Sequence, residues 1–139
     1  MSPRDTGTGR VLEEMVLPSL HRGGYTYPHG PQNIGARFGG GAHYVDVIAE
    51  KSGQRMLVSL KWQQVAGTAE QKVPFEVICL ADAVIAGSFV KAYLVLGGEG
   101  WKLRTFYISG GLATQLVHAD KVEILTLERF IARANQGQL

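Results

Sequence analysis

Asp46, Ser59 and Lys61 interrupt two otherwise apolar runs, AHYVDVIAE and RMLVSLKWQQ. Each residue type has a use in phosphoester chemistry. A carboxylate offers oxygen ligands to a hard cation, and Mg²⁺ typically takes one or two carboxylates together with waters and phosphates. A lysine beside such a cation can orient or deprotonate an attacking water and offset negative charge building on phosphorus. Metal-dependent phosphodiester hydrolysis calls for this composition. The competing reading is a cross-strand Asp–Lys pair at the surface, worth only about 0–1 kcal/mol.

The elements around these residues decide whether they meet. Residues 43–49 and 55–62 read as strands joined by the hairpin connection EKSGQ. Residues two apart on a strand share a face. Asp46 therefore goes with Tyr44 and Ile48, and Ser59 with Lys61; if the hairpin pairs around EKSGQ, all three can converge near the end remote from the turn. Upstream, GRVLEEMVLPSLH (9–21) reads as an amphipathic helix ended by HRGG, with Pro18 kinking its last turn. At about 100° per residue, Glu13 falls inside the apolar sector and Glu14 outside it. A short strand, YTYP, follows, and then a glycine-rich loop over 29–42.

Beyond the hairpin, GTAEQKVPFEVICLADAVIAG reads as loop then helix, with Thr68 as N-cap, Gln71 at the third position and Gly87 as the end. FVKAYLVLGG is apolar on both faces and reads as a central strand. WKLRTFYIS reads as another strand, and VEILTLERFIARAN as a short strand and a helix from Leu127. This order predicts a mixed sheet with helices against it, an α/β (α+β) class domain.

Asp46, twelve intervening residues and then Ser59-Leu60-Lys61 resemble the D…(D/E)xK signature of the PD-(D/E)XK nuclease superfamily. In that superfamily the acid and the ExK element lie on neighbouring hairpin strands. GRVLEE, with Gly9 four residues before Glu13, looks like the first helix of archaeal Holliday-junction resolvases. The family's core order, helix, three strands, helix, strand, matches residues 9–97. The resemblance implies a restriction-endonuclease-like core and a Mg²⁺-dependent DNA endonuclease, with Mn²⁺ as a substitute ion. Asp46 and the Leu60 carbonyl would bind the metal, and Lys61 would assist the water. Two positions depart from the pattern. Val45 replaces the proline before the acid, and Ser59 replaces the second acid. Some type II restriction enzymes of the superfamily also carry SxK, with the carboxylate supplied from the following helix. Here that makes Glu70 the expected replacement and Glu76 its reserve, with Glu13 able to complete the shell.

Other residues fit a nucleic-acid contact. Lys72 and Arg37 are candidate phosphate contacts. Gln63 and Gln64 can read adenine edges, Trp62 can stack on bases, and His43 reads as a strand-edge residue touching DNA. The substrate implied is duplex or branched DNA. Because two-strand cleavage needs two active sites, a homodimer or a targeting partner is expected. The alternative class is a catalytically degenerate nucleic-acid-binding or assembly module on the same fold, which Ser59 motivates.

The totals agree with one domain over 1–139. The formal net charge of +2 excludes no partner class, since basic residues can gather on one face. Cys79 is the one cysteine, so an internal disulfide is excluded, and its apolar neighbours mark it as a buried small hydrophobe. The histidines lack HExxH-like spacing, and Ser59 lacks a GxSxG context. No apolar run approaches the roughly 20 residues of a membrane span, and MSPRDTGTGR lacks the apolar core of a signal peptide. A cytoplasmic protein is expected.

Overall fold

A computed structural model of the chain describes residues 6–139. The described residues open with one continuous helical stretch in three parts: α1 (Thr6–Val11), a π-helical segment (Leu12–Val16) and α2 (Leu17–Arg22). The π segment ends just before Pro18, which has no N–H for the preceding turn, so the widening and the proline fall together. Thr26 then makes an isolated bridge to Glu50, which is all that forms of the strand expected at YTYP.

The glycine-rich stretch expected as a loop contains a second small sheet. Strands β1 (Gln32–Ala36) and β2 (Ala42–Val45) pair antiparallel around Gly39, Gly40 and Gly41, all three at positive φ. The strand expected over 43–49 is therefore two strands. β2 belongs to this hairpin, and β3 (Val47–Lys51) starts a different sheet, with Asp46 between them.

The main sheet has the order β3-β4-β5-β6, where β4 is Gln54–Trp62, β5 is Lys91–Gly97 and β6 is Val122–Thr126. β3 and β4 are antiparallel across Ser52-Gly53. Both turn residues have positive φ, the requirement of the tight hairpin turn that matches strand twist. β4, β5 and β6 are parallel, so helical crossovers must connect them. The first is a 3₁₀ turn (Ala69–Lys72) running into α3 (Val73–Ala86), which ends at Gly87 as its sequence predicts. Thr68 makes no side-chain capping bond, contrary to its expected role.

The second crossover contains α4 (Arg104–Ile108), where a strand was expected. Alternating polarity in WKLRTFYIS suits a strand, but the deeply buried members are Trp101 and Tyr107, with Arg104 and Ile108 partly covered. That spacing is helical. α5 (Leu127–Asn135) closes the chain, with Thr126 Oγ1 accepting from Arg129 N as its N-cap.

Two apolar clusters fill the two faces of the sheet. Leu57, Leu94 and Leu96 pack against Val77, Leu80 and Val84 of α3. Val58, Leu60, Tyr93 and Val95 pack against Leu12, Val16 and Leu20 and against Phe130 of α5. The architecture is a central mixed four-stranded sheet between helical layers, as the sequence pattern predicts. β5 is buried almost end to end. Among the described residues no helix is long and apolar enough to cross a membrane.

Candidate active site

Asp46 is the point where the chain leaves one sheet for the other. Its N–H donates to Val58 O at 3.1 Å, and its Oδ2 accepts the Leu60 N–H at 2.7 Å. Because β2 peels away here, the Leu60 amide would have no ladder acceptor. The carboxylate supplies one. Asp46 also lines a cavity of about 320 Å³ together with Glu13, Leu12, Leu17, Tyr27 and His29. Glu13 is thus exposed toward this cavity rather than packed into the apolar face. Glu14 points away and pairs with Arg10 at 3.8 Å.

On β4, Ser59 and Lys61 look toward α3. Ser59 is buried, and its hydroxyl donates to Glu76 Oε2 at 3.2 Å. His43 Nε2 lies at the same oxygen, also 3.2 Å away, and Arg37 Nη1 donates to Oε1 at 2.9 Å. Burial works against charging this carboxyl. The His43 bond, the charge of Lys61 and the Arg37 bond outweigh it, and the pKa falls from 4.5 to about 2. Glu76 is therefore an ionised carboxylate inside the protein, joined to β1–β2 on one side and β4 on the other. Asp46 holds the backbone of residue 60 while Glu76 holds the side chain of residue 59. The two acids bracket one dipeptide, with Lys61 next in line.

Glu70 lies in a different setting. Its Oε1 accepts from Lys102 N at 2.8 Å and Gln63 Nε2 at 3.3 Å, and its Oε2 accepts from Leu103 N at 2.5 Å. Its backbone carbonyl accepts the Tyr107 hydroxyl at 2.7 Å. Against the cost of burial, these N–H donors hold its carboxyl below the usual range. The carboxylate thus ties the start of the α3 crossover to the start of the α4 crossover. Its oxygens are taken up there, away from Ser59.

The remaining predicted contacts divide by burial. His43 is only 1% exposed and faces Glu76, so it is not a surface residue able to touch DNA. Gln63 is also buried, with its amide spent on Gly100 O, Glu70 and Ala69 N, which leaves no edge to read a base. Lys72 and Gln64 are exposed. Trp62 is half-buried beside Arg10, Val11, Glu14 and Met15. Leu60 is buried on the helix-α2 side. Arg37 and His43, expected at the nucleic acid, are partners of Glu76. The polar interruption of an apolar β2 by His43 was the available signal.

A larger recess of about 470 Å³ lies against β6, walled by Tyr107, Leu112 and Ile124. Its charged residues are Arg129 and Glu123, and Glu123 is already paired with Lys91 and Arg133. Among the described residues no group of three or more His, Cys, Asp or Glu could by itself hold a metal ion. Asp46 and Glu76 carry carboxylate oxygens, the donor type that a hard divalent cation takes together with waters and phosphate oxygens.

A mixed four-stranded sheet between helical layers defines an α/β domain. The sequence matches the family model of a PD-(D/E)XK nuclease superfamily domain over residues 5–138, and the chain belongs to that superfamily. Among solved structures it is similar to the crystal structure of AF1548, a protein of unknown function. The TM-score is 0.51 and the identity 14%, over 80% of this chain and 54% of that one. The chain spans about half the length of that protein, and the likeness is one of fold. No curated protein matches the chain.

Proposed function

We propose that the chain is a divalent-metal-dependent DNA endonuclease whose second acid is Glu76. The observation that supports this is the Ser59–Glu76 hydrogen bond of 3.2 Å. Serine occupies the position where the superfamily signature has an acid, and a carboxylate from the next helix reaches it. Glu70, expected for this task, has its oxygens committed to backbone amides, which favours Glu76 over it. Asp46 and Glu76, with the Leu60 carbonyl, would hold the cation, and Glu13 lines the same cavity as Asp46. Mg²⁺ bound there, or Mn²⁺ in its place, supplies Lewis acidity and a more acidic water. Lys61 would orient the attacking water and offset charge on the phosphate. Exposed Lys72 and Gln64 and half-buried Trp62 are the remaining candidate DNA contacts.

The reading includes a homodimer or a targeting partner, because a chain with one such site cuts one strand at a time. The test is cleavage of plasmid, single strands and four-way junctions with Mg²⁺ or Mn²⁺. Cutting that disappears in Asp46→Asn and in Lys61→Ala supports the enzyme. DNA binding without cutting of any substrate would instead favour the degenerate binding module, which Ser59 and the fully partnered Glu76 motivate.

A further inference from the structure

The carboxylate of Glu76 is more fully occupied than a waiting metal ligand needs to be. A carboxylate oxygen has two lone pairs. Oε2 meets both Ser59 Oγ and His43 Nε2, so its capacity is used. Oε1 meets Arg37 Nη1, at 2.9 Å. The three partners also differ in freedom. Ser59 and His43 are buried in strands, whereas the Arg37 side chain keeps 30% of its surface exposed. Arg37 sits at the turn of the β1–β2 hairpin, where its N–H bonds Gly41 O across three positive-φ glycines. A side chain added at Gly39, Gly40 or Gly41 would meet nothing within 4 Å, so this turn stands clear of the rest of the domain.

Resting on the reading of Glu76 as second acid, we infer that Arg37 is a substrate-positioning residue that is exchanged between two anions. Without substrate its guanidinium occupies Oε1 of Glu76. When a divalent cation takes that oxygen, Arg37 is released to a non-bridging phosphate oxygen of the bound nucleic acid. Guanidinium fits both partners, because carboxylate and phosphate present the same paired-oxygen geometry. Ser59 and His43 remain on Oε2 and keep the carboxylate aimed throughout. The exchange involves no covalent change. It explains why a buried acid beside the signature lysine is paired with an arginine from a turn on a two-stranded ribbon.

The exchange makes two binding steps respond in opposite directions to one substitution. In Arg37→Ala, Mn²⁺ affinity without DNA, read by calorimetry, should tighten roughly three- to tenfold, because a competing cation has left Oε1. Affinity for a duplex in Ca²⁺ should weaken by a similar factor, with a shallower salt dependence. Arg37→Lys should restore part of the DNA affinity. A purely structural ion pair would leave Mn²⁺ affinity unchanged or lower it along with thermal stability, and that result overturns the inference. If wild-type protein cuts DNA and binds Mn²⁺ but Arg37→Ala tightens nothing, the exchange alone fails. If wild-type protein binds no Mn²⁺, the reading of Glu76 fails with it.

Discussion

Glu70 and Glu76 lie six residues apart on one crossover, both are buried, and both are held ionised, yet they are stabilised by different means. Glu70 is met by backbone N–H groups of Lys102 and Leu103 and by the Gln63 amide, all neutral donors. Such donors fix a loop, and they cannot leave without undoing it. Glu76 is met by the side chains of Arg37, His43 and Ser59, with Lys61 nearby, drawn from the β1–β2 hairpin and from β4. Side-chain donors can be exchanged for another cation at modest cost. Two carboxylates with similar burial are thus a structural fastener in one case and a candidate ligand in the other.

The largest separation should appear in catalysis. Glu76→Gln keeps the shape but removes the charge, and cleavage should fall about 100-fold or more while the protein stays folded. Adding Ser59→Glu to that variant returns an acid to the usual position of the signature and should recover measurable cutting. A Glu76→Gln protein that cuts at the wild-type rate would erase the distinction.

Acid unfolding should follow next in size. The folded pKa of Glu76, about 2, is below its ordinary 4.5, so its ionised form stabilises the fold above pH 4.5. That contribution, about 3 kcal/mol, should fade as pH falls from 4.5 toward 2. Denaturant titrations across that window should show the loss in wild-type protein and a flatter profile in Glu76→Gln. Glu70→Gln tests the other side of the comparison. Placing an amide NH₂ against either the Lys102 or the Leu103 amide should cost about 2 kcal/mol of stability, with cleavage by the folded fraction unchanged within a few-fold. The smallest change is expected for Ser59→Ala, about 1 kcal/mol in thermal or denaturant unfolding, because Oε2 retains His43.

How far the sequence carried these distinctions follows from the range of the interactions involved. Asp46 and Lys61 stand out because they break apolar strands locally, and Ser59 because it stands in a short signature. The central strand β5 was legible from its run of residues apolar on both faces, and the helix α5 from its start at Leu127. The break at Asp46 was only half-read. An acid in a strand signalled chemistry, but nothing local said that the strand would change sheets there. The role of Glu70 depends on amides of residues 102 and 103, more than thirty positions away, and on a crossover whose helix α4 resembled a strand. Its nearness to Lys61 in sequence made it the natural choice, and tertiary hydrogen bonding claimed it instead. His43 was misjudged for the same reason, since its partner lies on α3.

The central claim is that Glu76, and not Glu70, completes the acid pair with Asp46. A crystal soaked in Mn²⁺ and measured for anomalous scattering tests it most directly. The account predicts one peak ligated by the Asp46 carboxylate and Glu76 beside the Leu60 carbonyl, with Arg37 displaced from Oε1. A peak at Asp46 completed by Glu70, or by Glu13 with Arg37 still on Glu76, would contradict it.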